Sequence, residues 1–223
     1  MLTTVRAAIV ALTVLLPTVV SGQGSSVTAS PTNPDRWEAA VHVGWLVRGV
    51  TGGAPRRTVW YSTGSFDGSI GYFLTPHLKL AFGGGTSGAD DVFLVETVRL
   101  PGSPYPAYRG REHRIRASTT AISMTYHFFE NQWFHPFAGA GAMVVHESNR
   151  AGASDGFAYY APGIVLPPLP PTSRTTTHVR PYLTGGFKAY GSERVFFQTD
   201  VRVVTASDRA ESAALRAGVG VDF

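Results

Sequence analysis

Trp37-Glu-Ala-Ala-Val-His-Val-Gly-Trp-Leu-Val-Arg48 alternates without a break. Trp37, Ala39, Val41, Val43, Trp45 and Val47 share one face of an extended chain; Glu38, Ala40, His42, Gly44, Leu46 and Arg48 share the other. Period two is the mark of a β-strand, because successive side chains leave a pleated backbone on opposite sides. The pattern returns seven more times. Trp60, Phe66, Ile70 and Tyr72 oppose Thr63, Ser65, Asp67 and Ser69. Leu78, Leu80 and Phe82 oppose Lys79, Ala81 and Gly83, and Ile122, Met124, Tyr126 and Phe128 oppose Ala121, Ser123, Thr125 and His127. Phe137, Gly139, Gly141, Met143 and Val145 oppose Ala138, Ala140 and Ala142, with the bulkier set read as the outward one. Val179, Leu183 and Phe187 oppose Arg180, Tyr182, Thr184 and Lys188. Val195, Phe197, Val201 and Val203 oppose Gln198, Asp200 and Arg202; Leu215, Ala217, Val219, Val221 and Phe223 oppose Arg216, Gly218, Gly220 and Asp222.

One face of each strand is bulky, apolar and aromatic, and the other mixes small residues with a few charges. A soluble sandwich turns its apolar faces inward. Here the small residues suit a narrow lumen, where bulk would clash, and the large apolar ones suit lipid. The expected fold is an all-β, eight-stranded antiparallel up-and-down transmembrane barrel over 37–223. Connections alternate in length: Thr75–His77, Glu130–Trp133 and Gly191–Glu193 are short, whereas Gly49–Thr58, Ser87–Arg114, His146–His178 and Ala206–Ser212 are longer. Short periplasmic turns and long outer loops are the usual arrangement. Thirteen aromatics, from Trp37, Tyr72 and Phe73 through Phe128, Phe129, Trp133, Phe134, Phe137, Phe187, Tyr190, Phe196 and Phe197 to Phe223, gather on the short-turn side, as an interfacial belt would.

Composition agrees. Charged residues are 15% of the 223, the net charge is +4, and no cysteine is present. The charge forms no stripe of the kind nucleic acid needs, so no nucleic-acid partner is expected. Without Cys there are no disulfides and no thiolate metal sites. The histidines have no metal-ligand spacing, and neither metal nor cofactor is expected. Arg6 precedes an apolar run over Ala7–Leu16, Pro17 ends it, and Val20-Ser21-Gly22 supplies small residues: the layout of a cleaved signal peptide over 1–22. A Ser/Thr/Pro-rich stretch over 23–36 reads as a flexible leader.

Leu215-Arg-Ala-Gly-Val-Gly-Val-Asp-Phe223 resembles the terminal strand of outer-membrane proteins. Gly68–Leu80, Pro136–Gly141 and Arg180–Lys188 resemble segments of the small outer-membrane β-barrel domain proteins of the OmpA/OmpX-like superfamily. The resemblance implies a monomer in the outer membrane of a Gram-negative-type bacterium, with Phe223 as the signal read by the barrel-assembly machinery. The peptidoglycan-binding domain of some relatives is not expected. The superfamily pattern bears on fold more than on function.

Three sets of residues suggest roles. Glu38, Asp67, Asp200 and Asp222 share the inner face with Lys79, Arg180, Lys188, Arg202 and Arg216, and charges in a narrow lumen should pair. Arg109, Arg111, Arg114 and Arg116, at the end of the second outer loop, could contact lipopolysaccharide phosphates through guanidinium forks, or simply be solvated. His146-Glu147-Ser148-Asn149 resembles the His-x-Ser-Asn segment of outer-membrane lipid A deacylases, which would make His146 and Ser148 triad members with Glu147 or Glu193 as the acid. If the strand through Val145 continues outward-facing, His146 and Ser148 face the lumen. The Pro-rich Ala161–Pro171 reads as a stiff or mobile outer-loop segment. The function expected is a structural or surface-interacting barrel embedded in outer-membrane lipid, not an enzyme; a deacylase-like esterase and a narrow porin-like channel are the alternatives.

Deleting Phe223 is expected to lower the heat-modifiable, folded fraction on semi-native gels. Unchanged folding would remove the assembly role from this residue.

Overall fold

The computed structural model describes residues 37–52, 57–99, 107–128, 133–154, 166–206 and 209–223. The signal-peptide and leader segments, Phe129 and part of the Pro-rich stretch lie outside the described residues. Nine antiparallel strands follow in order: β1 Trp37–Gly52, β2 Arg57–Phe73, β3 Leu78–Ser87, β4 Asp90–Val98, β5 Ala107–His127, β6 Phe134–Ala151, β7 Thr172–Tyr190, β8 Val195–Ala206 and β9 Arg209–Asp222. Each strand pairs with the next in the chain, except that β3 and β4 both pair with β5, and β1 pairs with β9. Eight strands therefore close a ring, and β4 lies outside it. Closure removes the free edges that an open sheet would expose.

β4 is the outward continuation of β3. Both pair with β5, but Thr86 faces Ser118 while Asp90 faces Ile115. Four residues are thus spanned on one strand against three on the other, the count of a β-bulge. The extra residue shifts the phase: Lys79 and Ser87 are buried below it, Val92 and Leu94 above it. The segment Ser87–Arg114, read above as a loop, is therefore largely strand. The other outer connections also shrink, because β1, β2, β6, β7, β8 and β9 continue into them. A membrane-spanning strand needs roughly 9–11 residues. β5 has 21, β7 has 19 and β6 has 18, so the wall rises well beyond the bilayer on the long-connection side.

The outer wall matches the alternation on most strands. Val43, Phe82, Ile122, Leu183 and Leu215 are exposed to the surroundings, and Glu38, His42, Asp67, Thr184 and Arg216 are buried in the lumen. β6 is the exception. Phe137, Met143 and Val145 are only 5–6% exposed and point inward, while Ala138, Ala140, Ala142 and His146 face out. The period was right and the phase inverted. Both faces of β6 are apolar, so polarity does not distinguish them, and size misleads because bulk here fills the lumen. Gly141 on the same inner face makes room: a Cβ there would stand 2.8 Å from the ring of Tyr182. The aromatic belt splits likewise. Trp37, Phe128, Trp133, Phe197 and Phe223 are exposed, but Phe137 and Phe196 are buried. The barrel ends meet at the short-turn side, where Trp37 and Phe223 exchange two backbone hydrogen bonds of 3.0 and 2.8 Å.

An Arg on the lipid face of such barrels costs about 2–4 kcal/mol near mid-membrane. Ala140→Arg is expected to destabilise the barrel by that amount in urea titrations in lipid vesicles. If it is silent, the inward phase of Phe137, Met143 and Val145 is wrong.

Candidate functional site: charge layers across the lumen

Each in-phase position on a barrel strand points into a lumen walled by hydrocarbon, so a charge placed there needs a counter-charge within reach. The structure brings all nine sequence-flagged lumen charges into three stacked layers, together with three that sequence reading left out.

The layer nearest the short turns is built on Glu38. Lys79 donates from Nζ to both its oxygens, at 2.8 and 3.0 Å, and Lys188 donates to Oε2. Lys188 also lies 3.9 Å from Asp222, whose other oxygen accepts from the Tyr190 hydroxyl at 2.5 Å. Rings line the remaining volume. The Lys188 ammonium sits 4.0 Å from the centroid of Phe196 and 5.3 Å from that of Phe73. Lys79 lies within 6.0 Å of Phe137. His127 packs between Phe73 and Phe137 at 5.3 and 5.5 Å. All eight ring strands contribute a side chain. An ammonium over a ring face gains most where water is excluded, and Lys188 is 0% exposed. Gly220 gives Phe196 its space, since a Cβ there would collide with the ring.

The middle layer is a fork. Arg216 donates to Asp200 from Nε and Nη2 at 2.9 and 2.7 Å, and from Nη1 to Asp67 at 2.5 Å. Gln198 and Thr184 donate to the remaining Asp200 lone pairs at 3.0 and 3.3 Å, and His42 stands 3.5 Å from Asp67. Among the described residues Arg202 forms no ion pair and instead lies over the Tyr182 ring, 4.7 Å from its centroid. The outer layer joins Arg48 to Glu147 at 2.5 Å and to Glu211 at 3.3 Å, and Arg180 to Glu211 at 2.5 Å. Each layer holds two basic side chains and two carboxylates. Glu147 and Glu211 escaped the sequence reading because their neighbourhoods were taken for loop; Arg48 was placed on the inner face of its strand but not counted among the pairing charges.

Between the middle and outer layers lies a cavity of about 70 Å³, lined partly by Leu46, Ser65, Thr86, Met143 and Val145. That is room for a few waters. Above the outer layer, Val92, Leu94 and Ile115 form an apolar cluster with Val50 and Tyr61 packed against it.

The four arginines taken for one lipopolysaccharide contact divide by strand phase. All lie on β5 rather than at a loop end. Arg109 and Arg111 are buried on the inner face; Arg114 and Arg116 are exposed on the outer one. The inward pair fastens the Pro-rich segment: Arg109 donates to the carbonyl of Pro167 at 2.8 Å, and Arg111 to those of Gly152 and Pro170 at 2.7 and 3.0 Å. Proline has no N–H, so such a segment offers acceptors that arginine can fill.

The esterase residues are not brought together. His146 shares a 2.9 Å hydrogen bond with the Thr177 hydroxyl, Glu147 points the other way to Arg48, and Glu193 sits in a turn at the opposite end of the barrel. With the phase of β6 inverted, His146 and Ser148 face outward, not into the lumen.

Removing one partner of a buried ion pair costs about 3–5 kcal/mol. Glu38→Gln is expected to destabilise the folded barrel by that order in vesicle unfolding titrations, and adding Lys79→Met should recover part of it. No recovery would mean that the two residues are not coupled.

No protein-family model matches this chain, and no curated protein matches it in sequence. Solved structures do. The chain is similar to Neisserial surface protein A, at 13% identity and a TM-score of 0.53, over 84% of this chain and 97% of that one. It is also similar to the N-terminal β-barrel domain of OprF from Pseudomonas aeruginosa (16%, TM-score 0.48, 83% and 97% covered) and to OprG from the same organism (10%, 0.49, 84% and 96%). The closed ring of eight antiparallel strands, its apolar outer wall and the first of these likenesses agree: the chain has the fold of the small outer-membrane β-barrels.

Proposed function

We propose that this chain is a closed, non-conducting and non-enzymatic barrel of the outer membrane, whose strands hold a rigid sheet above the bilayer for surface contact. The observation that carries the reading is the stack of three layers, each gathering two basic side chains and two carboxylates inside the lumen. A conducting pore needs a continuous wet path. Here Glu38 and Arg48 of β1 meet Lys188 of β7 and Glu147 of β6 across the lumen, Arg216 of β9 reaches β2 and β8 between them, and Phe73, Phe137 and Phe196 fill the space around the lowest layer. An eight-stranded barrel is just wide enough to be filled this way. The outward reach of β5, β6 and β7 supports a surface role, since strand beyond the bilayer adds nothing to spanning it. Export by a cleaved signal and assembly through Phe223 belong to the same reading.

Purified barrel in planar lipid bilayers is expected to show no sustained unit conductance. A steady ohmic conductance from the wild-type chain would overturn the closed reading in favour of a channel.

A further inference from the structure

Just above the apolar band, the outer faces of β5, β6 and β7 change character together. Register places Arg114 opposite Arg150, Arg116 opposite Ser148, and Ser118 opposite His146. On the next strand Ser148 faces Thr175 and His146 faces Thr177. Arg114, Arg116 and Arg150 are exposed, on the same side as Ile122 and Met124 below them. Among the described residues none of the three arginines forms an ion pair, although Asp91 stands opposite Arg114 on β4. β7 has no acid, the one on β6, Glu147, points inward to Arg48, and the one on β5, Glu112, lies on the outer face beyond Arg114 and away from Arg116. Like charges directly opposite each other on a sheet are destabilising, so the Arg114–Arg150 pair calls for an anion.

Depth identifies the anion. Tyr126 and Arg116 are ten residues apart on β5. That is roughly 33 Å along the strand, or about 25 Å along the membrane normal at a tilt near 40°, the height of the apolar band of such barrels. Arg116 therefore lies at the headgroup level of the outer leaflet. Among the described side chains the patch is also one-sided. On the far wall, Val47 of β1, Val203 and Thr205 of β8 and Ala213 of β9 carry no charge. A general interfacial belt would not be confined to three adjacent strands.

We propose that Arg114, Arg116 and Arg150, with the hydroxyls of Ser148 and Thr175, form a lateral binding site for the phosphate groups of an anionic outer-leaflet glycolipid. The site rests on the membrane reading above. Guanidinium forks match phosphate oxygens in pairs, and the hydroxyls between them supply further donors. Two of the four arginines first grouped for this chemistry are replaced by Arg150, which joins them from a neighbouring strand.

The test titrates folded, detergent-solubilised full-length barrel with diphosphorylated lipid A, and separately with the dephosphorylated lipid, by native mass spectrometry. Each surface arginine near an anionic lipid contributes about 1 kcal/mol, or about fivefold. Wild type is expected to prefer the phosphorylated lipid. Arg116→Gln should weaken that binding about fivefold and Arg116→Gln/Arg150→Gln about twenty-five-fold, while Arg99→Gln, just past the far end of β4, leaves it unchanged. Arg116→Lys should fall between. Equal binding of both lipids, or an unaltered affinity in the double variant, overturns the site. So does a sulfated polysaccharide or inorganic phosphate that binds through the same arginines when lipid A does not. Heat-modifiable folding in phosphatidylcholine vesicles is scored first for every variant: its loss in wild type overturns the barrel reading, whereas lost lipid preference with intact folding overturns only this site.

Discussion

A carboxylate held between two ammonium groups, Glu38 with Lys79 and Lys188, is the interaction on which the lumen depends. Glu38 is 2% exposed and Lys188 is 0% exposed, so neither can be solvated by bulk water. Removing any one leaves an uncompensated charge in a narrow space walled by hydrocarbon, where desolvation outweighs most single contacts. The same requirement is met twice more along the axis, by the Arg216 fork and by Arg48 and Arg180 with Glu147 and Glu211. Balance within each layer, rather than across the whole barrel, keeps every charge but that of Arg202 within 3.9 Å of a counter-charge. It also lets aromatic rings occupy what remains, because no ion needs a shell of water.

Alternation made the wall legible. Trp37–Arg48 and Leu215–Phe223 show period two with clear polarity contrast, and their inward and outward faces follow directly. β6 was harder because Ala and Gly alternate with Phe, Met and Val, giving two apolar faces. Size then points to lipid, whereas Phe137 and Met143 fill space that Gly139 and Gly141 leave inside. The bulge before Asp90 was hidden for a different reason. Gly83-Gly-Gly-Thr-Ser-Gly88 looks like a turn, and a one-residue offset leaves no compositional trace. Apolar Val92 and Leu94 have apolar neighbours in Phe93 and Val95, so either phase satisfies the pattern.

The charge network was legible as composition and not as pairing. Which acid meets which base depends on shear, the stagger that carries the sheet around the ring. Nothing in Asp67 alone selects Arg216 from among the inward bases. The lipid-facing arginines were equally hidden. Arg109 to Arg116 read as one basic run, but a strand deals alternate residues to opposite sides, so two became fasteners for proline carbonyls and two became surface charges. Arg150 could be added only once Arg114 was known to stand beside it.

The sequence distances within the layers also set an order in time. Glu38 and Lys79 are 41 residues apart and can meet as soon as the first three strands form a meander. Glu38 and Lys188 are separated by 150 residues, Asp67 and Arg216 by 149, and Arg48 and Glu211 by 163. Until the last strand arrives beside the first, Asp67 has no guanidinium and Glu211 no partner on β1. A half-built ring would therefore carry naked charge toward lipid. Contacts this distant in sequence are slow to form and reward the chain only at closure. Insertion and sealing are thereby tied into a single late event, and a chain halted before its final strand has no stable resting place in the bilayer.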